Sequence, residues 1–291
     1  MYILSSSGNE DFSTALSNVL GCSVVSQEKR RFPDGEQYIR VTGDLEEEDV
    51  IVVVNGRNEI SFFESLLSLE AVRGLKPRSI IAFMPYFSYA RQHMRYMDGE
   101  AVSAKVVLDS LSLYADCIVS VDVHDSSVSK LSRLPFRNIL VYDSISRYYS
   151  ALGIDIVISP DDGGVERAAE IGKSLGVKSA NFEKVRIDSR RVEMKIPDDL
   201  FLEKKNILIL DDIISTGGTI MKSVDIARDH EPGKIFVCGI HGIFVNGVDE
   251  KISSRVDDLA VTNTVKGRYS KIDVTREVAS SLKGVLNGIR A

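Results

Sequence analysis

Short apolar runs recur along this chain at intervals that leave room for a helix between them. IVVVN begins at residue 51, SIIAFMPY at 79, CIVSVDV at 117, DIVIS at 155, ILIL at 207 and KIFVCGI at 234. Runs of this length and β-rich composition predict strands buried on both faces of a parallel sheet. The segments between them carry helical spacing. Residues 101–115 set Ala104, Val107, Leu108, Leu111 and Ala115 on one face, and residues 219–229 do the same with Ile220, Val224 and Ala227. Strand and helix in alternation predict βαβ units, and so an α/β fold of mainly parallel sheets flanked by helices.

The pattern falls into two similar halves, and 291 residues suffice for two cores of ordinary size. The expected domains are 1–140 and 141–291, with the boundary between Phe136 and Tyr142 and a last helix near 275–287 able to pack on either half. No low-complexity linker marks the junction. The longest stretch without clear periodicity is KVRIDSRRVEMKIPDDLFLEKK, residues 184–205, whose charge suggests a lid or an irregular loop.

Composition narrows the function classes. The chain is 44% hydrophobic and 27% charged, ordinary for a globular protein, and its net charge of −6 argues against a broad nucleic-acid surface. Cys22, Cys117 and Cys238 are far apart with no CxxC spacing, so neither a disulfide framework nor a zinc site is indicated. The opening MYILSSSGNEDF lacks a basic start and a long apolar run, and no stretch approaches a membrane span. A cytoplasmic location is expected.

The most chemically pointed segment is ILILDDIISTGGT, residues 207–219. Ile207 to Leu210 read as a buried strand, which places the polar residues after it at the carboxyl end, where open α/β sheets bind ligands. Ser215, Thr216, Gly217, Gly218 and Thr219 then offer hydroxyls and unhindered backbone N–H groups at a helix start, where the dipole favours a phosphate. Asp211 and Asp212 repel phosphate, so their expected partners are sugar hydroxyls or a divalent metal. A tight turn with capping acids would explain the glycines but not the adjacent carboxylates. Gly172-Lys173-Ser174 ends like a nucleotide P-loop, but Arg167 stands where the first glycine is needed and the surrounding pattern is helical.

Three further segments follow strands. SPDDGGVERA, from 159, offers Asp161 as a metal ligand, with helix capping by Asp162 as the competing role. VDVHDSS, from 121, brings Asp122, His124 and Asp125 together, which points to a metal or phosphate contact. Magnesium prefers oxygen, so His124 would act on phosphate or through water. PYFSYARQ, from 85, supplies the planar fork of Arg91 for phosphate, the Gln92 amide and aromatics able to flank a base; a packed aromatic loop is the competing account.

With RFPDGE at 31–36 and Lys184-Val185-Arg186, these segments resemble, over nearly the whole chain, the ribose-phosphate pyrophosphokinase family, in its shorter archaeal-type form. That resemblance implies two phosphoribosyltransferase-like domains and transfer of the pyrophosphoryl group of ATP to the C1 hydroxyl of ribose 5-phosphate, releasing AMP. It implies that Ser215 to Thr219 hold the 5-phosphate, that Asp211 and Asp212 hold the ribose hydroxyls, and that Mg²⁺ lies near His124 and Asp161. Arg91 and Gln92 are then ATP contacts. The loop of Phe32, Asp34, Gly35 and Glu36 is expected to reach a neighbouring subunit's adenine, making the active unit a homo-oligomer of at least two chains. Lys184 and Arg186 match the start of a catalytic loop, Arg186 also facing ribose 5-phosphate; two cations delivered by a lid suit a reaction that needs positioning and charge cancellation.

The chain departs from the family's common pattern at His93, where Asp is frequent, at Ser127, where Gln is, and at Asp162, where His is. It also lacks a second basic residue after Arg186. These positions bear on nucleotide preference and metal affinity. The competing functions are a phosphoribosyltransferase that consumes phosphoribosyl pyrophosphate, which has no need of RFPDGE or PYFSYARQ, and a catalytically silent regulatory homologue, against which Lys184, Arg186, Asp211 and Asp212 weigh. An RNA-binding regulator fits the acidic balance poorly.

Overall fold

The computed structural model describes residues 1–186 and 192–290, with the side chains of 184–194 and 290 outside that description. The chain forms two compact units: Met1–Leu140 together with the segment from Thr275, and Val141–Val274.

The first unit opens with β1 (Tyr2–Ser5), α1 (Glu10–Leu20), β2 (Ser23–Val24), β3 (Ser26–Arg31) and β4 (Gln37–Thr42). It continues through β5 (Asp49–Val53), α2 (Glu59–Gly74), β6 (Ser79–Met84), α3 (Ser103–Leu111), β7 (Cys117–Val121) and β8 (Phe136–Ile139). Six strands make one parallel sheet in the order β2-β1-β5-β6-β7-β8, while β3 and β4 form a separate antiparallel hairpin. Every residue of β5, β6 and β7 is buried, because helices cover both faces and the sequence supplies continuous apolar runs to match.

The second unit contains α4 (Tyr142–Tyr149), β9 (Ile156–Ser159), α5 (Val165–Leu175), β10 (Lys178–Asn181), β11 (Glu183–Arg186) and β12 (Val192–Lys195). It ends with β13 (Asn206–Ile214), α6 (Gly218–Arg228), β14 (Lys234–Gly242), α7 (Val248–Ser253), β15 (Asp258–Thr262) and β16 (Ser270–Ile272). Its parallel sheet runs β10-β9-β13-β14-β15-β16. The two sheets thus share one topology. In each, the first strand has its successor on one side and the rest of the sheet on the other, so the winding reverses between β1 and β5 and between β9 and β13. Such reversals open a crevice at the carboxyl ends of the strands.

The last helix, α8 (Thr275–Arg290), goes with the first unit, whereas a division at residue 140 assigns it to the second half. Its buried face of Val278, Leu282 and Leu286 recurs every four residues, and it packs on α1 and β8. Of residues 184–205, read from the sequence as an irregular segment, 187–191 lie outside the described residues, and regular structure flanks them. β11 and β12 pair as an antiparallel ribbon, and Ile196 and Leu202 beyond it are buried in the second core. Val192, Met194 and Ile196 alternate with Glu193 and Lys195, a strand period hidden by the charge around it.

Candidate functional site

The candidate site is built at the reversal in the second sheet. β13 runs on to Ile214, so Asp211 and Asp212 lie within the strand and not beyond it, with Asp211 registered against Gly239 of β14. The sequence reading ended the strand at Leu210 because acids are poor strand formers; pairing on β14 overrides that preference. Asp212 is buried and Asp211 half-buried. The Asp212 N–H donates to Asp211 Oδ1 at 3.0 Å, and the Ile213 N–H to Asp212 Oδ1 at 2.8 Å.

Burial first, and then the adjacent Asp212 carboxylate, push the Asp211 carboxyl up to about 7; Asp161, across on the β9 loop, adds a smaller push. Burial beside a second carboxylate thus favours the protonated form of Asp211 into the neutral range. A half-buried carboxyl beside a second one is suited to accept the hydroxyls of a sugar, or a cation. The same shift carries a stability prediction. Asp211 binds its proton more tightly folded than unfolded, so its ionisation costs stability as pH rises from about 4 to about 7 and the full cost persists above. Asp211→Asn is therefore expected to raise stability by about 1–3 kcal/mol near pH 8 and by almost nothing near pH 4. Thermal melts at the two pH values check this, and an equal gain at both would refute it.

The loop after β13 turns into α6 through Gly217, whose φ of +70° and tight surroundings leave no alternative to glycine. A Cβ there would lie 2.4 Å from Val248 Cγ2. Gly218 is different: its φ is not left-handed, and a Cβ would meet nothing within 4 Å. α6 carries no side-chain cap, so the N–H groups of its first turn are left for a ligand. Ser215 is half-buried, while Thr216, Gly218 and Thr219 are exposed. The loop is tied down from beneath, with the Val245 N–H donating to the Ser215 carbonyl at 3.1 Å and those of Ile243 and Phe244 to Ile214.

On the adjacent strand β9, Asp161 is the residue that caps. Its Oδ1 accepts the Gly163 N–H at 3.0 Å, whereas Asp162 accepts from Asn181 Nδ2 at 2.9 Å. Capping thus falls to Asp161 and not to Asp162, to which the competing account assigns it. Among the described residues no group of three or more His, Cys, Asp or Glu could hold a metal ion by itself. Lys184 and Arg186 have their backbones in β11, and their side chains lie outside the described residues.

In the first unit, two loops follow the adjacent strands β6 and β7. Arg91 is exposed and makes no hydrogen bond or ion pair with the described residues, which leaves its guanidinium fork for a ligand. Gln92 is half-buried and bound into its own loop. Phe87 is 2% exposed and packs edge-on against Phe136, so it belongs to the core and not to a base platform; Tyr86 is half-buried and Tyr89 exposed. His93 Nδ1 lies 3.1 Å from the Ala90 carbonyl and its Nε2 3.5 Å from Asp125 Oδ2, which links this loop to the one bearing the exposed His124. Hydrogen bonds from Ser127, then the charge of His93 and His124, hold the Asp125 carboxyl below its usual range. Sequence reading named His93 and Ser127 as departures; the fold shows that both meet at Asp125.

The tip between β3 and β4 is exposed throughout. Gly35 has φ +97°, the Phe32 N–H donates to the Glu36 carbonyl at 2.8 Å, and the Glu36 N–H donates to Asp34 Oδ1 at 3.1 Å. Phe32 stands edge-on to Tyr38 with the Arg30 guanidinium beside both rings. The turn thus projects an aromatic ring and two carboxylates from a closed scaffold.

Comparison with known proteins was made on this footing. A family model described as the N-terminal domain of ribose phosphate pyrophosphokinase matches residues 1–114, and one described as the phosphoribosyl transferase domain matches residues 130–264. The chain is 41% identical over 284 residues to the ribose-phosphate pyrophosphokinase of Thermoplasma acidophilum, covering 98% of this chain and 99% of the relative. It is 38% identical over 263 residues to that of Pyrococcus furiosus, covering 89% and 93%. The crystal structure of phosphoribosylpyrophosphate synthetase from Mycobacterium smegmatis aligns with a TM-score of 0.85 at 23% identity, over 99% of each chain, a likeness of fold.

Proposed function

The chain belongs to the ribose-phosphate pyrophosphokinase family, and from that premise we propose that it transfers the β,γ-pyrophosphoryl group of ATP to the C1 hydroxyl of ribose 5-phosphate. The products are 5-phosphoribosyl 1-pyrophosphate and AMP. The observation that carries this reading is the pairing, at one sheet reversal, of two adjacent aspartates, Asp211 half-buried and Asp212 buried, with an uncapped helix start. A phosphorylated pentose has the two matching halves: hydroxyls that donate and a phosphate that accepts.

In this reading the N–H groups and hydroxyls of Ser215, Thr216, Gly217, Gly218 and Thr219 hold the 5-phosphate, and Asp211 and Asp212 accept the ribose hydroxyls. Arg91 and Gln92 receive ATP in the first unit. Phe32, Asp34, Gly35 and Glu36 serve the adenine of a neighbouring chain, so the working unit is at least a homodimer. Lys184 and Arg186 counter the charge that develops as the C1 oxygen bonds to the β-phosphorus and the bridge to the α-phosphate breaks.

Mg²⁺ is the expected cofactor, with His124 and Asp161 as the residues beside it. The donor set fits an ion that arrives on the nucleotide. Magnesium keeps several waters and needs only one or two protein groups in addition to substrate phosphates, and no larger ligand cluster exists among the described residues. When bound, it supplies charge neutralisation along the triphosphate. No described helix is long and apolar enough to cross a membrane, and Cys22, Cys117 and Cys238 are free; both accord with a cytoplasmic site of action.

With Mg²⁺ and ATP, AMP is expected to appear only after ribose 5-phosphate is added. Release that ignores the sugar phosphate would overturn the reading. Consumption of phosphoribosyl pyrophosphate by a free base would favour a phosphoribosyltransferase, and silence in both assays a regulatory homologue.

A further inference from the structure

The turn that follows Arg91 and Gln92 is organised around one carboxylate. Glu100 Oε2 accepts the Tyr96 N–H at 2.7 Å, the Met97 N–H at 3.1 Å and Gln92 Nε2 at 3.1 Å. Arg95 Nε closes the turn by donating to the Glu100 carbonyl at 2.9 Å, and Gln92 itself is fixed by its backbone to Tyr89 and Ala104. Backbone N–H bonds hold the Glu100 carboxyl below its usual range, so it stays an anion throughout the working pH range.

The consequence falls on Gln92. Its Nε2 also donates to the Met94 carbonyl at 3.1 Å. A carbonyl oxygen and a carboxylate can only accept, so the side of the Gln92 amide that faces them must be the NH₂, and both of its hydrogens are used. No described group donates to Oε1, which leaves that acceptor without a partner on the residue next to the exposed Arg91.

We propose that Glu100 is a positioning residue that locks the Gln92 amide in this sense, so that Gln92 can recognise only a donor on the nucleoside part of ATP, an amine or a hydroxyl, and never a phosphate oxygen. This inference rests on the nucleotide-binding role proposed above for the loop. It divides the labour within the Arg91-Gln92 pair: the cation takes the anionic end and the amide oxygen reads the nucleoside.

Replacement of the carboxylate by an amide, Glu100→Gln, removes the reason for that orientation and frees the Gln92 amide to rotate. The test compares kcat/KM for ATP, ITP and 2′- or 3′-deoxy-ATP in wild type, Glu100→Gln, Gln92→Ala and the double variant, with thermal melts reporting folding. ITP carries a 6-oxo group in place of the adenine amine, and the deoxy nucleotides lack one hydroxyl each. Loss of one neutral hydrogen bond corresponds to about a five- to tenfold change in discrimination. Glu100→Gln is expected to narrow either the ATP/ITP ratio, if the donor is the amine, or an ATP/deoxy-ATP ratio, if it is a hydroxyl. In the Gln92→Ala background it should narrow it no further. A support that is merely structural would weaken all nucleotides alike; unchanged ratios in Glu100→Gln, or an equal further change in the Gln92→Ala background, overturn the proposal. Rescue of the ratio by Glu100→Asp, which keeps the anion, would support it. A wild-type protein that forms no AMP from ATP and ribose 5-phosphate would instead fail the functional reading itself.

Discussion

Lys184→Ala is expected to lower kcat about 10²–10³-fold in the AMP-release assay while leaving the melting temperature almost unchanged. Pyrophosphoryl transfer needs no covalent help from the protein. Charge builds on the oxygens around the β-phosphorus, and a preorganised cation offsets it at no reorganisation cost in a site closed to water. Lys184 is suited to this by its place on β11, the outgoing strand of a two-stranded ribbon whose base is anchored by Ile196 and Leu202 in the second core. Arg186 lies two residues further along the same strand, so the proposed role would fall to both cations. Lys184→Arg tests the geometry, because a planar fork replaces a compact ammonium; partial recovery is expected, well short of wild type. Single-turnover rates separate this step from product release. Comparable turnover in Lys184→Ala and wild type would remove the ribbon from the chemistry.

Two neighbouring glycines should respond in opposite ways, and the contrast isolates the phosphate site. Gly217→Ala forces a left-handed backbone on alanine and drives its Cβ into Val248 and Ile252. The expected loss is about 2–5 kcal/mol, a drop of several degrees in melting temperature. Gly218→Val meets open space instead, so the fold should tolerate it within about 0.5 kcal/mol. Its cost appears in binding. The side chain would fill the room in which a phosphate approaches the first-turn N–H groups of α6, and losing about two charge-assisted hydrogen bonds raises KM for ribose 5-phosphate roughly 10²-fold or more. KM for ATP should move far less. A Gly218→Val enzyme with unaltered ribose 5-phosphate affinity would mean that the phosphate sits elsewhere.

Much of this protein is written in local pattern. The apolar runs at 51, 79, 117, 155, 207 and 234 all became buried strands, because a strand covered on both faces needs nothing but side chains that tolerate burial. The order strand, acids, hydroxyls and glycines at 207–219 likewise implied a strand leading into a helix start, and β13 and α6 are both there. Where the reading fell short, the deciding contact came from distant chain. Asp211 and Asp212 sit inside a strand because β14 pairs with it there, and the raised pKa of Asp211 follows from a burial that no propensity encodes. α8 joined the first unit because its apolar stripe found α1, a choice open to any amphipathic helix until the packing is known.

Composition and periodicity therefore determined the α/β class and the parallel sheets, which rest on neighbours within a few residues. Tertiary structure alone decided which acid caps and which pairs with Asn181, which glycine the fold requires and which stands in open space, and how Glu100 turns the Gln92 amide. Each of these depends on what a side chain meets across the fold, and hydrogen-bond partners and empty volume are properties of three dimensions that spacing along a chain does not record.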